Sequence, residues 1–296
     1  YFFPSAALKL QLNDKFSFGL LYDQPFGSDA EYTGNNAFVS NPGSDSVLSA
    51  GAIDGIVTKK AKEALVAQGL PVNDQTLAIA KGQVLASPQF QQLAGALAVA
   101  NNYLGTGGTK VEVDTQNLSF VFGFQPNQNF NFYAGPVLQT VKGNVSLRGQ
   151  AYSLYNGYDA NIKETTGVGW LAGAAYQIPE IALKASLTYR SEIDHKTNIN
   201  EDLSLLNFPG LTSVLAGLDV PASKLQAINS EGKTTITTPQ SVNLDFQTGI
   251  MANTVAFANV RWVNWKDFSI QPYKFGKVSE AVGGLVGRPN GFNLVE

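Results

Sequence analysis

The sequence predicts an all-β protein: an antiparallel transmembrane β-barrel, of which these 296 residues form a part, carrying a helical extracellular loop insertion. Three observations carry that prediction. Apolar residues recur at every second position in many separate runs. Short polar turns at one end of these runs contrast with long connections at the other, the layout of an outer-membrane barrel. Charge is sparse: 20 Lys+Arg and 23 Asp+Glu make up 15% of the residues, against about 25% in a soluble globular domain.

The same composition excludes several classes. A hydrophobic content of 44% is too high for disorder. With no cysteine there is no disulfide or cysteine-zinc chemistry. A net charge of −3 without a Lys/Arg run argues against a nucleic-acid partner. No apolar stretch is long enough for a spanning helix, which says nothing against a barrel. The chain opens on Tyr1-Phe2-Phe3-Pro4, already strand-like, and closes on 291–296, where another strand is expected to start. It reads as the middle of a longer chain, so the lack of a leader carries no information about compartment.

The runs follow in order. Phe16, Phe18, Leu20 and Tyr22 open the series. Leu118 to Phe124, Phe130 to Gln139 and Val168 to Ile178 continue it. In 181–193, Ile181, Leu183, Ala185, Leu187, Tyr189 and Ile193 share one face, and Lys184, Ser186, Thr188, Arg190 and Glu192 the other. Such faces suit a wall between lipid and a wet lumen, and the runs exceed the usual soluble strand of about five or six residues. Val242 to Ile250 and 254–270 complete the set. Tight turns are expected at 13–15, 125–129, 179–180 and 251–253, and long connections at 33–107, 149–160, 203–230 and 276–290.

Segment 33–107 departs from alternation. Ile53, Ile56, Val57, Ala61, Ala64 and Leu65 have helical spacing, ended by Gly69 and Pro71. Leu77, Ala80, Val84 and Leu85 suggest a second helix. Ser87-Pro88 then reads as a cap and first helical position, before Phe90, Leu93, Ala94 and Leu97. Two readings stand: the stripes cap the barrel, or they form a landing groove for an apolar ligand. Within 16–32, Pro25 cannot donate to a ladder and Gly27 marks a bend. Both are expected to interrupt the strand, with pairing resuming beyond them.

Motif matches are weak. Gly167-Val168-Gly169-Trp170-Leu171-Ala172 fits a dinucleotide-binding pattern but lies inside a strand, where the glycines instead permit close packing. His195, the one histidine, reads as a solvated rim residue. Neither a catalytic set nor a metal or cofactor site is expected. Arg148 and Arg288 stand as isolated cations at loop–strand junctions, suited to one anionic head group.

Four segments resemble one family. Tyr22-Asp23-Gln24-Pro25-Phe26-Gly27-Ser28-Asp29-Ala30-Glu31-Tyr32 looks like its kinked third strand, and Leu187-Thr188-Tyr189-Arg190-Ser191-Glu192 like one of its strand motifs. Thr237-Thr238-Pro239-Gln240-Ser241-Val242-Asn243-Leu244 resembles a strand start, with Thr238 in place of the usual Leu. Trp262-Val263-Asn264-Trp265-Lys266-Asp267-Phe268 resembles a strand end. On these the chain resembles the FadL family, outer-membrane transporters of long-chain fatty acids and other hydrophobic compounds in Gram-negative bacteria. The resemblance covers most of the chain, with 33–107 as the exception.

The resemblance implies a 14-stranded barrel with a lumenal hatch, of which this chain supplies the second to ninth strands and the start of the tenth. It places carboxylate-holding cations at Arg148 and Arg288, and a lateral-opening kink at Pro25 and Gly27. Phe26, Phe90 and Leu93 are the apolar residues expected against the ligand. The expected function is passive transport, without enzyme chemistry, by a monomer in the Gram-negative outer membrane. Its partners would be a long-chain fatty acid or other hydrophobic small molecule and outer-membrane lipid. An adhesin or receptor barrel, or a general porin, are the alternatives; apolar loop residues such as Phe38, Val47 and Leu48 disfavour the porin.

Overall fold

The computed structural model describes residues 3–295. The strand-like features expected at Tyr1, Phe2 and Glu296 lie outside them. Twelve strands are found among the described residues: β1 (Ala6–Gln11), β2 (Phe16–Asp23), β3 (Gly27–Glu31), β4 (Lys110–Phe124), β5 (Phe130–Leu147), β6 (Tyr158–Ile178), β7 (Leu183–Arg190), β8 (Ile193–Thr197), β9 (Ile199–Leu203), β10 (Thr234–Thr238), β11 (Ser241–Met251) and β12 (Thr254–Val263). Ten form one antiparallel sheet in the order β1-β2-β4-β5-β6-β7-β11-β12, with β3 extending β2 along β4 and β9 extending β7 along β6. Strands β8 and β10 pair only with each other.

Local chemistry sets the tight turns. The Asn13 Oδ1 accepts from the backbone N–H of Lys15 and Phe16, each at 2.9 Å, closing the β1–β2 hairpin. Asn127 does the same between β4 and β5, accepting from Asn129 and Phe130 at 2.9 and 3.0 Å. Ala182 and Asn253 take the left-handed backbone, φ 52° and 59°, that the next two reversals require.

The sheet has inverted polarity. Phe122, Trp170 and Leu187 on its outer face are 58%, 52% and 52% exposed, while Ser119, Gln139 and Asn117 on its inner face are buried. Water would penalise that outer face; a lipid bilayer suits it. Beyond Leu118 and Leu138, outward positions turn polar (Asp114, Lys142, Asn144, Asn161), so β4, β5 and β6 continue past the apolar band.

The main apolar core sits above that wall, beneath the loops. Helices α1 (Ala50–Ala67), α2 (Asp74–Ala86) and α3 (Pro88–Ala100) fill the first long connection. Ser49 caps α1, Asn73 and Thr76 form a capping box on α2, and Ser87 caps α3 at Phe90 N–H. Helices α4 (Leu211–Gly217), α5 (Ala222–Ala227) and α6 (Tyr273–Val282) come from the later connections. Val47, Leu48, Leu154, Leu205, Val214 and Val278 join them in one cluster.

Four expectations are corrected. The last long strand stops at Val263, because Trp265 to Phe268 form a turn closed by the Phe268 N–H on the Trp265 carbonyl at 3.1 Å. Residues 291–295 form no strand; Val295 makes one isolated bridge to Ile270. The connection after β5 is shorter than 149–160, since β6 begins at Tyr158. The run 181–193 is divided: Pro179–Ile181 is a 3-10 turn, β7 ends at Arg190, and Ile193 belongs to β8.

Candidate functional site

Strand pairing fixes the kink. Strand β2 pairs with β4 as far as Asp23–Asn117, and β3 resumes at Gly27–Asp114, so Pro25 lies in the break as expected but Gly27 does not interrupt the ladder: it is the first residue paired again. The kinked strand spends one more residue than β4 across this gap, which makes it a bulge. Thr115 replaces the missing ladder: its hydroxyl accepts from Phe26 N–H at 2.9 Å, and its backbone N–H donates to the Phe26 carbonyl at 3.1 Å. Beyond Ala6–Tyr22, β1 no longer accompanies the kinked strand. A Cβ added at Gly27 would meet the end of the Phe3 ring at 2.7 Å.

Phe26 points away from lipid. Its ring centroid lies 5.8 Å from that of Trp265, edge-on, and Arg261 sits 5.6 Å above it. The curl of the sheet thus brings β12 against the kink. Arg190 of β7 and Asp23 of β2 also meet across the interior at 3.7 Å. Pro25, Phe26, Arg190, Ile193, Thr238 and Arg261 bound a chamber behind the kink with only about 20 Å³ free.

Buried polar side chains form its floor. Gln139 donates to Asn117 Oδ1 at 2.8 Å, and its Oε1 accepts from Thr238 at 2.7 Å and from His195 Nε2 at 2.9 Å. His195 is therefore a buried interior residue and not a solvated rim residue, because β8 turns inward.

A second recess lies among the outer helices. It is a cleft of about 590 Å³ between α1, the α4–α5 connection and residues 281–289. Its floor is apolar (Ile56, Leu218, Val220, Leu285) and Lys59, Lys60 and Lys224 rim it. Lys60 pairs with Asp219 at 2.9 Å, and Lys224 donates to the Glu280 carbonyl at 3.1 Å. Leu218 and Leu285 also border a wholly aliphatic void of about 30 Å³ beneath the cleft. Helix α6 closes the neighbouring side, its Tyr273 N–H held by the Thr234 hydroxyl and its Lys274 and Phe275 N–H groups by Glu201.

The sequence-derived residues fall into separate places. Arg148 is locked into the wall. Its Nη2 makes two 2.9 Å contacts to the Asp159 carboxylate, Nη1 donates to the Leu147 and Tyr158 carbonyls, and Nε donates to the Thr106 carbonyl. All three guanidinium nitrogens are engaged by the protein itself, so a ligand carboxylate at Arg148 would compete with Asp159. Arg288 sits on an exposed turn, its N–H on the Gly283 carbonyl at 2.7 Å. Phe90 is half-buried near the start of α3, and Leu93 packs on the loop core near α4.

Lys59, Lys60, Lys224, Leu218 and Leu285 share no signal in the sequence, because three separate segments of the chain bring them together. Asn117 and Gln139 had a usable signal: each is a polar residue on a wall strand, directly beside an outward apolar one, Leu118 and Leu138.

No protein-family model and no curated protein matches this sequence. Solved structures do match. A Pseudomonas aeruginosa FadL homologue aligns over 92% of this chain and 51% of its own at 15% identity, TM-score 0.50. The Ralstonia pickettii toluene transporter TbuX aligns over 88% and 54% at 10% identity, TM-score 0.45. The Pseudomonas putida toluene transporter TodX aligns over 91% and 56% at 10% identity, TM-score 0.44. The first likeness shows the fold: a large part of a FadL-type β-barrel wall with helical insertions. The chain spans about half the length of the structures it matches.

Proposed function

We propose that the protein carries hydrophobic compounds, long-chain fatty acids or others, passively through the Gram-negative outer membrane, as a monomer and without enzyme chemistry. The observation that carries this reading is the break in the wall at Gln24–Phe26, backed by an interior chamber and flanked by an apolar outer face. A cargo captured in the lysine-rimmed cleft passes inward and leaves sideways at Pro25 and Gly27. Lateral exit keeps apolar area out of water, at about 25 cal/mol for every Å² not rewetted. Wall strands with an apolar outer face and a polar inner one support the membrane setting.

The likeness to proteins described as a FadL homologue and as toluene transporters agrees with apolar cargo. The locked Arg148 argues against reliance on that cation for a carboxylate. The test is mass spectrometry of lipid-like molecules co-purifying with the intact protein, alongside uptake by vesicles containing it. Retention of an apolar molecule that Leu218→Asp with Leu285→Asp abolishes supports the reading. Protein that carries none, and vesicles no more permeable than empty ones, would contradict it.

A further inference from the structure

The inward ribbon is in register with the wall it has left. Strands β6 and β7 pair up to Leu171–Arg190, and β6 and β9 pair again from Ile162–Ile199. Both chains advance nine residues between those pairs, so no residue is gained or lost. On the other side, β7–β11 pairing ends at Arg190–Ser241 and β8–β10 pairing includes Thr197–Thr234, seven residues further along each chain. Thus β8 and β10 continue the wall ladder between themselves, while the pair as a unit has swung off the β6 edge.

The ribbon rests on the inner face of β6 over two glycines. A Cβ at Gly167 would lie 2.6 Å from Ile193 Cγ2 and 2.7 Å from the Asp194 carbonyl; at Gly169 it would lie 2.5 Å from Ile193 Cγ1. Glycine removes the side chains that would exclude the ribbon. The hinge is marked by Ser191, whose N–H donates to the Trp170 carbonyl at 2.9 Å and whose hydroxyl accepts from Trp170 N–H at 3.0 Å. At the ribbon's centre, His195 and Thr238 are latched to Gln139.

Its two faces suit both positions. The buried face carries Ile193, His195, Thr197, Thr234, Ile236 and Thr238, with no carboxylate or ammonium. Asp194 and Lys196 point the other way and are exposed. Returned to the wall in the existing register, the first face points outward, with Ile193 opposite Val168 at the edge of the apolar band and His195 and Thr197 opposite Thr166 and Glu164 in the polar zone beyond it, and the charged face meets the lumen.

We infer that the β8–β10 ribbon is a gate with two positions, lying across the lumen or seated in the wall beside β6, and that it controls passage to the kink. This rests on the transport reading. In the observed position the chamber holds about 20 Å³, where ligand sites have about 300–1,000 Å³, so cargo needs something to move. Seating the ribbon withdraws Ile193 and Thr238 from the chamber wall. It exchanges the Gln139 hydrogen bonds for ladder bonds along β6, a switch between two discrete packings.

Engineered disulfides test this in the intact protein in outer-membrane vesicles. Val168→Cys with Ile193→Cys are direct partners in the wall register. In the observed position they lie on opposite faces of β6, beyond disulfide reach. Thr166→Cys with His195→Cys is a second such pair. At least one folded variant, judged by heat-dependent gel mobility, is expected to form its disulfide under mild oxidation. Gly169→Cys with Ile193→Cys, adjacent in the observed position, holds the ribbon inward, and oxidation is expected to lower uptake of an aliphatic hydrocarbon about tenfold or more, reversed by reductant. No disulfide in either wall-register pair would overturn the two positions, and an oxidised inward pair with unchanged uptake would overturn the gate. Wild-type vesicles that take up no apolar compound would contradict the transport reading instead, leaving the disulfides to decide the ribbon's movement.

Discussion

Arg148 and Asp159 form a two-pronged ion pair, with both carboxylate oxygens 2.9 Å from one guanidinium nitrogen. The same guanidinium reaches the Thr106 carbonyl and so ties the end of the helical insertion to the wall. Asp159 is 43% exposed on its side chain, which screens the pair. Arg148→Ala is therefore expected to cost about 1–2 kcal/mol of stability. It is expected to weaken binding of a fatty acid and of its uncharged alcohol equally. Competition binding with the two ligands checks this; selective loss of the acid would restore a carboxylate-holding role to Arg148.

Glu201 caps α6 from outside the helix. Its oxygens accept the Lys274 and Phe275 N–H groups at 2.8 Å each, and the Tyr158 hydroxyl at 2.8 Å. These are donors that the helix cannot satisfy itself, and a carboxylate there also suits the helix dipole. Glu201→Ala is expected to destabilise α6 by about 1–2 kcal/mol. Hydrogen exchange at residues 273–282 reads this as faster exchange confined to that helix, with β4 and β5 unchanged.

Tyr155 gives a pH dependence. Its ring stacks on Phe275 at 4.2 Å between centroids, and its hydroxyl donates to the Phe275 carbonyl at 2.9 Å. Burial, followed by the nearby Glu201 carboxylate, pushes this phenol well above its ordinary value of 10.0. The unfolded chain then releases the proton at lower pH than the folded one. The folded state holds more protons above about pH 10, so stability falls as pH rises through that value. Thermal unfolding from pH 8 to 11 is expected to show this loss, and Tyr155→Phe to reduce its slope.

Much of this architecture was legible because one physical constraint repeats. Alternation at Leu118–Phe124 and Phe130–Gln139 marks strands whose two sides meet different media, and Asn13 and Asn127 carry their own turn geometry. Helix ends were legible at Ser87-Pro88 and Gly69 for the same local reason. The stop at Val263 and the inward swing of β8 were not, since both depend on what lies across the barrel. Trp265 looks like a strand residue until Phe26 supplies its partner. His195 looks solvated beside Asp194 until Gln139, 56 positions away, comes within 2.9 Å. Arg148 shows the converse: its place at the loop junction was readable, but its partners Asp159 and Thr106 were not.

Lateral exit depends on the kink at 24–26. Pro25→Val with Gly27→Thr supplies a ladder donor inside the bulge and a β-branched residue at the first pair beyond it. The measurement is uptake of an apolar compound by vesicles containing the intact protein, paired with binding of the same compound to detergent-solubilised protein. The double variant is expected to lose uptake while binding at the outer cleft persists. Uptake at the wild-type rate, with the wall shown to be straight by restored exchange protection across residues 22–30, would contradict lateral exit.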